Sequence, residues 1–204
     1  YDRATDLQAK VFVLSELAQT THDATVLKRL IGLKPEIVAH IDQTGTVLSS
    51  AMPLIRDKAF NHDVGEAVKA WQARLTDEAT KTPYGVPYVP YIWGAGWDIQ
   101  KFGVDQYFVR KAWPQYTPDT LQMEALNFVL GVHPGENTES FASGVGAKSA
   151  TTAYGANRAD WSYIPGGVIS GTALIRPDLP PHRVVGITGT NGKSTTTALV
   201  HHIC

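Results

Sequence analysis

Residues 130–180, LGVHPGENTESFASGVGAKSATTAYGANRADWSYIPGGVISGTALIRPDLP, are the stretch on which the interpretation of the fold depends. They are too rich in Gly, Ser, Asn and aromatic residues to form the interior of a helix, yet they contain no low-complexity repeat. They also follow a well-patterned helix directly. We therefore predict a long, ordered loop that belongs to a functional site, because binding residues concentrate on loops held by a rigid scaffold.

The residues before this loop predict a mainly α domain with long loops between its helices. Apolar side chains recur there at helical spacing, and Pro or Asp occupies several first-turn or capping positions. No convincing strand alternation precedes Val184. The predicted helices are 7–18, 26–31, 35–41, 63–75, 98–109 and 117–130.

Three details of these helices are specific enough to be tested. Asp63 and Glu66 have the spacing of a capping box and predict a helix start at Asp63. Residues 42–45 have the composition of a turn. The periodicity also assigns Leu17 and Phe108 to the buried faces of their helices.

The composition of the chain indicates a globular protein. The chain has 204 residues, 43% of them hydrophobic and 18% charged, and a formal net charge of -1. These values are typical of a globular protein and give no electrostatic reason to expect nucleic acid or an anionic membrane as a partner. No apolar run approaches the roughly 20 residues that a membrane span needs.

The first residue is Tyr1, and Cys204 ends the sequence within an apolar helical pattern, so we expect a truncated or composite chain.

The long loop and the segment before it contain residue types that bind sugars. Aromatic faces stack on a pyranose ring, and planar polar groups form paired hydrogen bonds to neighbouring hydroxyls. An oligo- or polysaccharide is therefore the expected partner. The candidate substrate-binding residues are Trp93, Trp97, His133, Asn157, Arg158 and Trp161.

The order of the motifs ALNFVLGVHPG (125–135), SFASGVGA (140–147) and YGANR (154–158) resembles the C-terminal part of glycoside hydrolase family 9 catalytic domains. YIWGAGWDIQKFG (91–103) resembles the aromatic-rich loop and helix that precede it. The resemblance covers about residues 84–180. It implies an (α/α)6 barrel, here partial, and an inverting, cellulase-like hydrolysis of β-linked glycans that needs no cofactor.

The sequence departs from that family at the positions that matter for catalysis. His133 stands where the family has Asn before Pro134, and residues 156–158 read Ala-Asn-Arg in place of His-His-Arg. Inverting hydrolysis needs two carboxyl groups roughly 6.5 to 9.5 Å apart. Spacing assigns no such role to Glu136, Glu139, Asp160 or Asp178, so the catalytic residues are unknown and we expect the chain to be an inactive glycosidase.

A second motif follows at residues 181–204. The apolar run 183–187 predicts a buried strand, and TGTNGKST (188–195) leads from it into a helix-like segment. A strand, a Gly-rich loop and a helix N-terminus together present backbone N–H groups to phosphate. Lys193 would contact the β and γ phosphates and Ser194 would bind Mg²⁺. The nucleotide-binding candidates are Gly189, Thr190, Asn191, Gly192, Lys193, Ser194 and Thr195.

TGTNGKSTTT closely resembles the ATP-binding loop of the Mur ligases, particularly the D-glutamate-adding enzyme of peptidoglycan synthesis. That resemblance implies Mg-ATP. A lone strand, loop and helix cannot bury both faces of the strand. We therefore expect the chain to bind ATP very weakly or not at all.

Three hypotheses remain open. The chain is a glycoside hydrolase fragment (1–180) joined to a Mur ligase-like fragment (181–204), or a Mur-type ligase with an unusual N-terminal region, or a non-catalytic carbohydrate-binding or structural module. The first implies an extracellular or periplasmic location and the second a cytoplasmic one. The oligomeric state is left open.

Overall fold

A computed structural model describes residues 3–82, 84–88, 95–132, 139–146, 148–149 and 165–168 of the chain. These residues form seven α-helices and one 3-10 helix, Met52–Leu54, and they contain isolated β-bridges but no strand. A mainly α fold is thereby confirmed for the described residues, whereas the (α/α)6 barrel stays a prediction. The helices are α1 (Arg3–Thr21), α2 (Ala24–Gly32), α3 (Lys34–Ala39), α4 (Ile41–Leu48), α5 (Lys58–Thr80), α6 (Ala95–Ala112) and α7 (Thr120–Val129).

The described residues divide into two compact units. The first comprises those of Tyr1–Lys81 and Phe102–Met123, and the second those of Thr82–Lys101 and Glu124–Cys204. Among the described helices, none combines the length and the apolarity needed to cross a bilayer.

The core of the first unit is an apolar cluster to which α5 contributes four buried residues. Phe60, Val64 and Val68 are completely buried, and they belong to the same cluster as Val109 and Trp113. Burying one such side chain contributes about 1.5 to 3 kcal/mol relative to leaving it in water. The apolar residues that recur at helical spacing along α5 are therefore the ones that are buried in this unit.

The turn predicted at residues 42–45 is wrong, because these residues lie inside α4. Gly45 packs against α5, where a Cβ atom would come within 3.0 Å of Cζ3 of Trp71. The Thr44 hydroxyl donates a hydrogen bond of 2.8 Å to the carbonyl oxygen of His40 in the preceding turn. Gly45 thus serves a close helix contact, which sequence alone does not distinguish from turn chemistry.

The predicted start of α5 at Asp63 is also wrong. The N-cap is Asp57, whose carboxylate accepts a 2.8 Å hydrogen bond from the backbone N–H of Phe60. Asp63 lies within the helix and forms a 2.5 Å ion pair with Lys34 on α3, and Glu66 pairs with Lys69 at 3.5 Å. Aspartate is a favourable N-cap at either position. A helix that begins at Asp57 includes the buried Phe60, whereas one that begins at Asp63 would leave Phe60 outside the helix.

Most buried faces agree with the predicted periodicity. Leu121, Ala125 and Phe128 are buried on α7. Leu17 and Phe108, in contrast, are each 44% exposed, so their predicted burial is wrong. Each helix buries only one stripe of its surface, and both residues lie outside that stripe.

Candidate functional site

The candidate site is built on the C-terminal end of α7 in the second unit. Gly131 ends the helix with a φ of 92°, a conformation that suits glycine. The N–H of Val132 donates to the carbonyl oxygen of Asn127 at 2.9 Å, and the N–H of Gly131 donates to that of Phe128 at 3.1 Å. The predicted stop of the helix at Gly131 is confirmed, and the terminal carbonyl groups have partners.

Residues 139–146 return to this helix end and are fixed by Ser140 and Phe141. The Ser140 hydroxyl lies 3.2 Å from the carbonyl oxygens of Val129 and Ala142 and accepts a 3.0 Å hydrogen bond from the N–H of Ala142. The Phe141 ring stacks on Phe128 with a centroid distance of 5.2 Å. Both residues are completely buried, so this part of the loop is ordered as the sequence predicts.

The sequence gives little warning of these two anchors. Ser140 is one of several serines in the loop, and its neighbours in the sequence do not distinguish it from the others. Its role depends on carbonyl groups that tertiary structure brings within reach, including that of Val129 eleven residues earlier in the chain. A single sequence contains no local pattern for such a contact.

A second connection joins the loop to residues 165–168. Ala142 forms an antiparallel bridge with Val168, and the N–H of Ser143 donates to the carbonyl oxygen of Gly167 at 3.0 Å. The N–H of Gly166 donates in return to the carbonyl oxygen of Ser143 at 2.7 Å. The segments before and after residues 150–164 therefore meet at one place.

Trp97 belongs to this meeting point. Its indole Nε1–H donates a 2.7 Å hydrogen bond to the carbonyl oxygen of Val168, and the residue remains 49% exposed. The hydrogen bond fixes the orientation of the ring while leaving half of the residue accessible to solvent. An indole held in this way can stack on the apolar face of a flat or ring-shaped ligand.

Trp97 is the one predicted substrate-binding residue whose position can be given. The other five, Trp93, His133, Asn157, Arg158 and Trp161, lie outside the described residues. The same holds for every predicted nucleotide-binding residue from Gly189 to Thr195, including Ser194 as the predicted Mg²⁺ ligand. These assignments stay predictions.

The polar contacts that fix the described part of the site include hydrogen bonds between backbone groups, serine hydroxyls and an indole. No group of three His, Cys, Asp or Glu side chains in the described ranges could hold a metal ion. What the described residues can provide is a rigid, partly aromatic surface.

Comparison with known proteins gives two short matches. The chain is 88% identical over 32 residues to the UDP-N-acetylmuramoylalanine–D-glutamate ligase of Novosphingobium aromaticivorans, which is 16% of this chain and 7% of that protein. It is 71% identical over 31 residues to the protein of the same name from Sphingopyxis alaskensis, 15% of this chain and 7% of the relative. No protein-family model and no solved structure matches the chain.

These matches correct one expectation from the sequence. The expected glycosidase is wrong, because the curated proteins that the chain matches are ligases and no comparison supports a glycoside hydrolase. Similar motif order in Gly-rich and aromatic loops is therefore not sufficient to assign a glycosidase. The matched segment spans only 7% of each relative, so it shows similarity of a segment and not of the whole protein.

Proposed function

We propose that residues 183–204 form an ATP-binding segment of the kind found in the D-glutamate-adding ligases, and that the chain binds Mg-ATP through it. The observation that supports the proposal is the 88% identity over 32 residues to such a ligase. TGTNGKSTTT is the stretch of this chain that resembles the ATP-binding loop of those enzymes. In this proposal the matched residues include that loop.

The chemistry of the loop follows from its residue types. Backbone N–H groups at the start of a helix attract phosphate oxygens, and the Lys193 ammonium adds a full positive charge beside the β and γ phosphates. The Ser194 hydroxyl is a suitable oxygen ligand for the Mg²⁺ that accompanies ATP. In a ligase this arrangement positions the γ phosphate for transfer to a carboxylate, with ADP as the leaving group.

We assign to this chain only the binding of the nucleotide phosphates, because the loop alone can provide it. Formation of an amide would also need sites for the acceptor carboxylate and for the amino acid. A cytoplasmic location belongs to the same proposal, because the ligases of this type act on nucleotide-activated precursors.

Titration calorimetry of the full chain with Mg-ATP tests the proposal. We expect saturable binding with a dissociation constant on the order of 1 mM, equivalent to about 4 kcal/mol, because one loop supplies the contacts. Lys193→Ala should abolish the signal, and Ser194→Ala should remove its dependence on Mg²⁺. Lys148→Ala is the matched control and should bind like the unchanged chain. Equal binding by the unchanged chain and Lys193→Ala, or no binding at about 10 mM ATP, would refute the proposal.

A second function is favoured by the position of Trp97. We propose that the loop surface around it binds a carbohydrate without cleaving it. The supporting observation is an indole that is anchored through Nε1 and half exposed beside an ordered loop. Trp93, His133, Asn157, Arg158 and Trp161 are the further residues that this proposal assigns to the sugar.

Affinity electrophoresis in gels that contain soluble β-glucan tests this second proposal. The full chain should be retarded, Trp97→Ala should lose the retardation, and Trp97→Phe should keep part of it because a ring face remains. Tyr107→Ala removes an aromatic residue of similar exposure, 45%, and is the control. Retardation that persists in Trp97→Ala would exclude Trp97 as a sugar-binding residue.

A further inference from the structure

An apolar groove lies along α1 in the first unit. It encloses about 540 Å³ and is lined by Val13, Leu14 and Leu17 of α1 together with Leu33, which joins α2 to α3. Val13 is 51% exposed and Leu17 is 44% exposed. A concave apolar surface of this kind can accept the apolar face of another helix.

The edge of the groove is positively charged. Lys10 and Arg29 line it beside the apolar residues. Lys10 is paired with Asp6 of its own helix at 3.0 Å, whereas Arg29 forms no ion pair with any residue in the described part of the chain. An occupant of this groove should therefore combine an apolar stripe with a carboxylate.

The outer face of α7 has these two properties. Met123 and Leu126 lie on one face of α7, and Asp119 just before the helix and Leu130 just after it continue the same spacing of i, i+4, i+7 and i+11. Met123, Leu126 and Leu130 are 44%, 48% and 37% exposed, respectively. Such a stripe is the usual anchor set of a helix that binds in a groove. The carboxylate of Asp119 stands at its N-terminal end.

The two surfaces also match in length. From Met123 to Leu130 the stripe extends about 10.5 Å along the helix axis, and from Ala9 to Leu17 the groove extends about 12 Å, at 1.5 Å per residue. The carboxylate of Asp119 is held by Arg110 at 3.6 Å, in a pair whose side chains are 61% and 44% exposed. An exposed pair of this kind is weak, so Asp119 can exchange Arg110 for another guanidinium group.

We propose that two copies of this chain associate head to tail, with the α7 stripe of one copy in the α1 groove of the other. The Asp119 carboxylate of the first copy then pairs with Arg29 of the second. The two contacting surfaces are different, so the contact is heterologous and each copy retains one unused stripe or groove. Association should therefore continue beyond a dimer as the concentration rises.

Sedimentation velocity over a concentration series tests this arrangement. The unchanged chain should form dimers and larger species. Leu17→Asp should block the groove and Leu126→Asp should block the stripe, so that each variant alone is monomeric. An equimolar mixture of the two should form dimers and nothing larger, because it contains one intact groove and one intact stripe per pair. Val104→Asp, at a site that is 49% exposed on α6, is the control and should associate normally.

The charge contact gives a second, smaller readout. Arg29→Glu should weaken association about two- to fivefold, and mixing it with Asp119→Arg should restore part of the loss. Circular dichroism establishes that each variant is folded, and Val13→Asp replaces Leu17→Asp if the latter is not. A chain that stays monomeric at high concentration would overturn the proposal. So would association that survives both aspartate substitutions, or loss in Leu17→Asp without loss in Leu126→Asp.

Discussion

The helical core of the first unit and the loop site after α7 are stabilised in different ways. In the core, apolar side chains such as Phe60 and Val64 recur at helical spacing and become buried together. In the loop site, Ser140 bonds to backbone groups, Phe141 stacks on one ring, and Trp97 is anchored through its indole N–H. The core therefore depends on a pattern that sequence displays, and the loop depends on contacts between residues far apart in the chain.

The largest expected effect is on the core. Phe60→Ala removes a completely buried ring and should lower the free energy of unfolding by about 3 to 5 kcal/mol, through lost burial and the cavity that remains. Urea unfolding followed by tryptophan fluorescence measures the change. Phe12→Ala is the control, since Phe12 is 49% exposed and its loss should cost no more than about 0.5 kcal/mol. Equal losses in the two variants would contradict the described core.

The next prediction concerns the loop site. Ser140→Ala deprives the buried N–H of Ala142 of its acceptor and should cost about 1 to 3 kcal/mol. Amide hydrogen exchange should show faster exchange at Ala142 than in the unchanged chain. Ser149→Ala removes an acceptor from the exposed N–H of Gly144, which water can replace, so it should have a smaller effect. A larger effect of Ser149→Ala would argue against this account of the loop.

A comparison of two glycines distinguishes the effect of close packing from the effect of helix propensity. Gly45→Ala places a methyl group 3.0 Å from the Trp71 ring and should destabilise the protein by about 1 kcal/mol or more. Gly32→Ala meets nothing within 4 Å and should stabilise it by about 0.5 kcal/mol. Thermal unfolding of both variants measures the difference. Stabilisation by Gly45→Ala would mean that α4 and α5 do not approach as closely as described.

The helix start of α5 can be tested by comparing two aspartates. Asp57→Ala removes the N-cap hydrogen bond to Phe60 and should cost about 1 kcal/mol. Asp63→Ala removes a partly exposed ion pair and should cost less. Urea unfolding at neutral pH measures both. A larger loss for Asp63→Ala would instead favour the start that the sequence predicts.

The smallest effect is a dependence of stability on pH. The hydrogen bond from the Lys34 ammonium lowers the pKa of Asp63 below its ordinary value of 3.8, and the positive charge of Lys34 acts in the same direction. A lowered pKa in the folded state adds stability above pH 3.8, and this stability is lost as the pH falls through the folded pKa.

Asp63→Asn provides the comparison for this effect. The difference in unfolding free energy between the unchanged chain and the variant should be small and constant at neutral pH and should vanish in acid. High salt should reduce it as well, because the pair is partly exposed. A difference that grows as the pH falls would contradict the described ion pair.

Some features of the fold were predictable from the sequence and others were not. The helix stop at Gly131 and the buried faces of α5 and α7 were predictable because they depend on local spacing and on one residue with unusual backbone freedom. The start of α5 and the continuation of α4 through Gly45 were not, since the same residue types serve as caps, turns and contact points. In the candidate site, the sequence predicts Trp97 as a binding residue from its type, and this stays a prediction, whereas no local pattern marks Ser140 and Phe141 as anchors.

The sequence by itself determined the mainly α character of the described residues between 3 and 132, since helical periodicity is local. It also predicts a phosphate-binding loop at TGTNGKSTTT, since short motifs are local as well. Tertiary structure alone decided that Gly45 makes room for Trp71 and that Ser140 reaches the carbonyl oxygen of Val129. It also decided that Trp97 is held by Val168, 71 residues away. These contacts depend on distances between residues that are remote in the chain, and no spacing within the sequence specifies such distances.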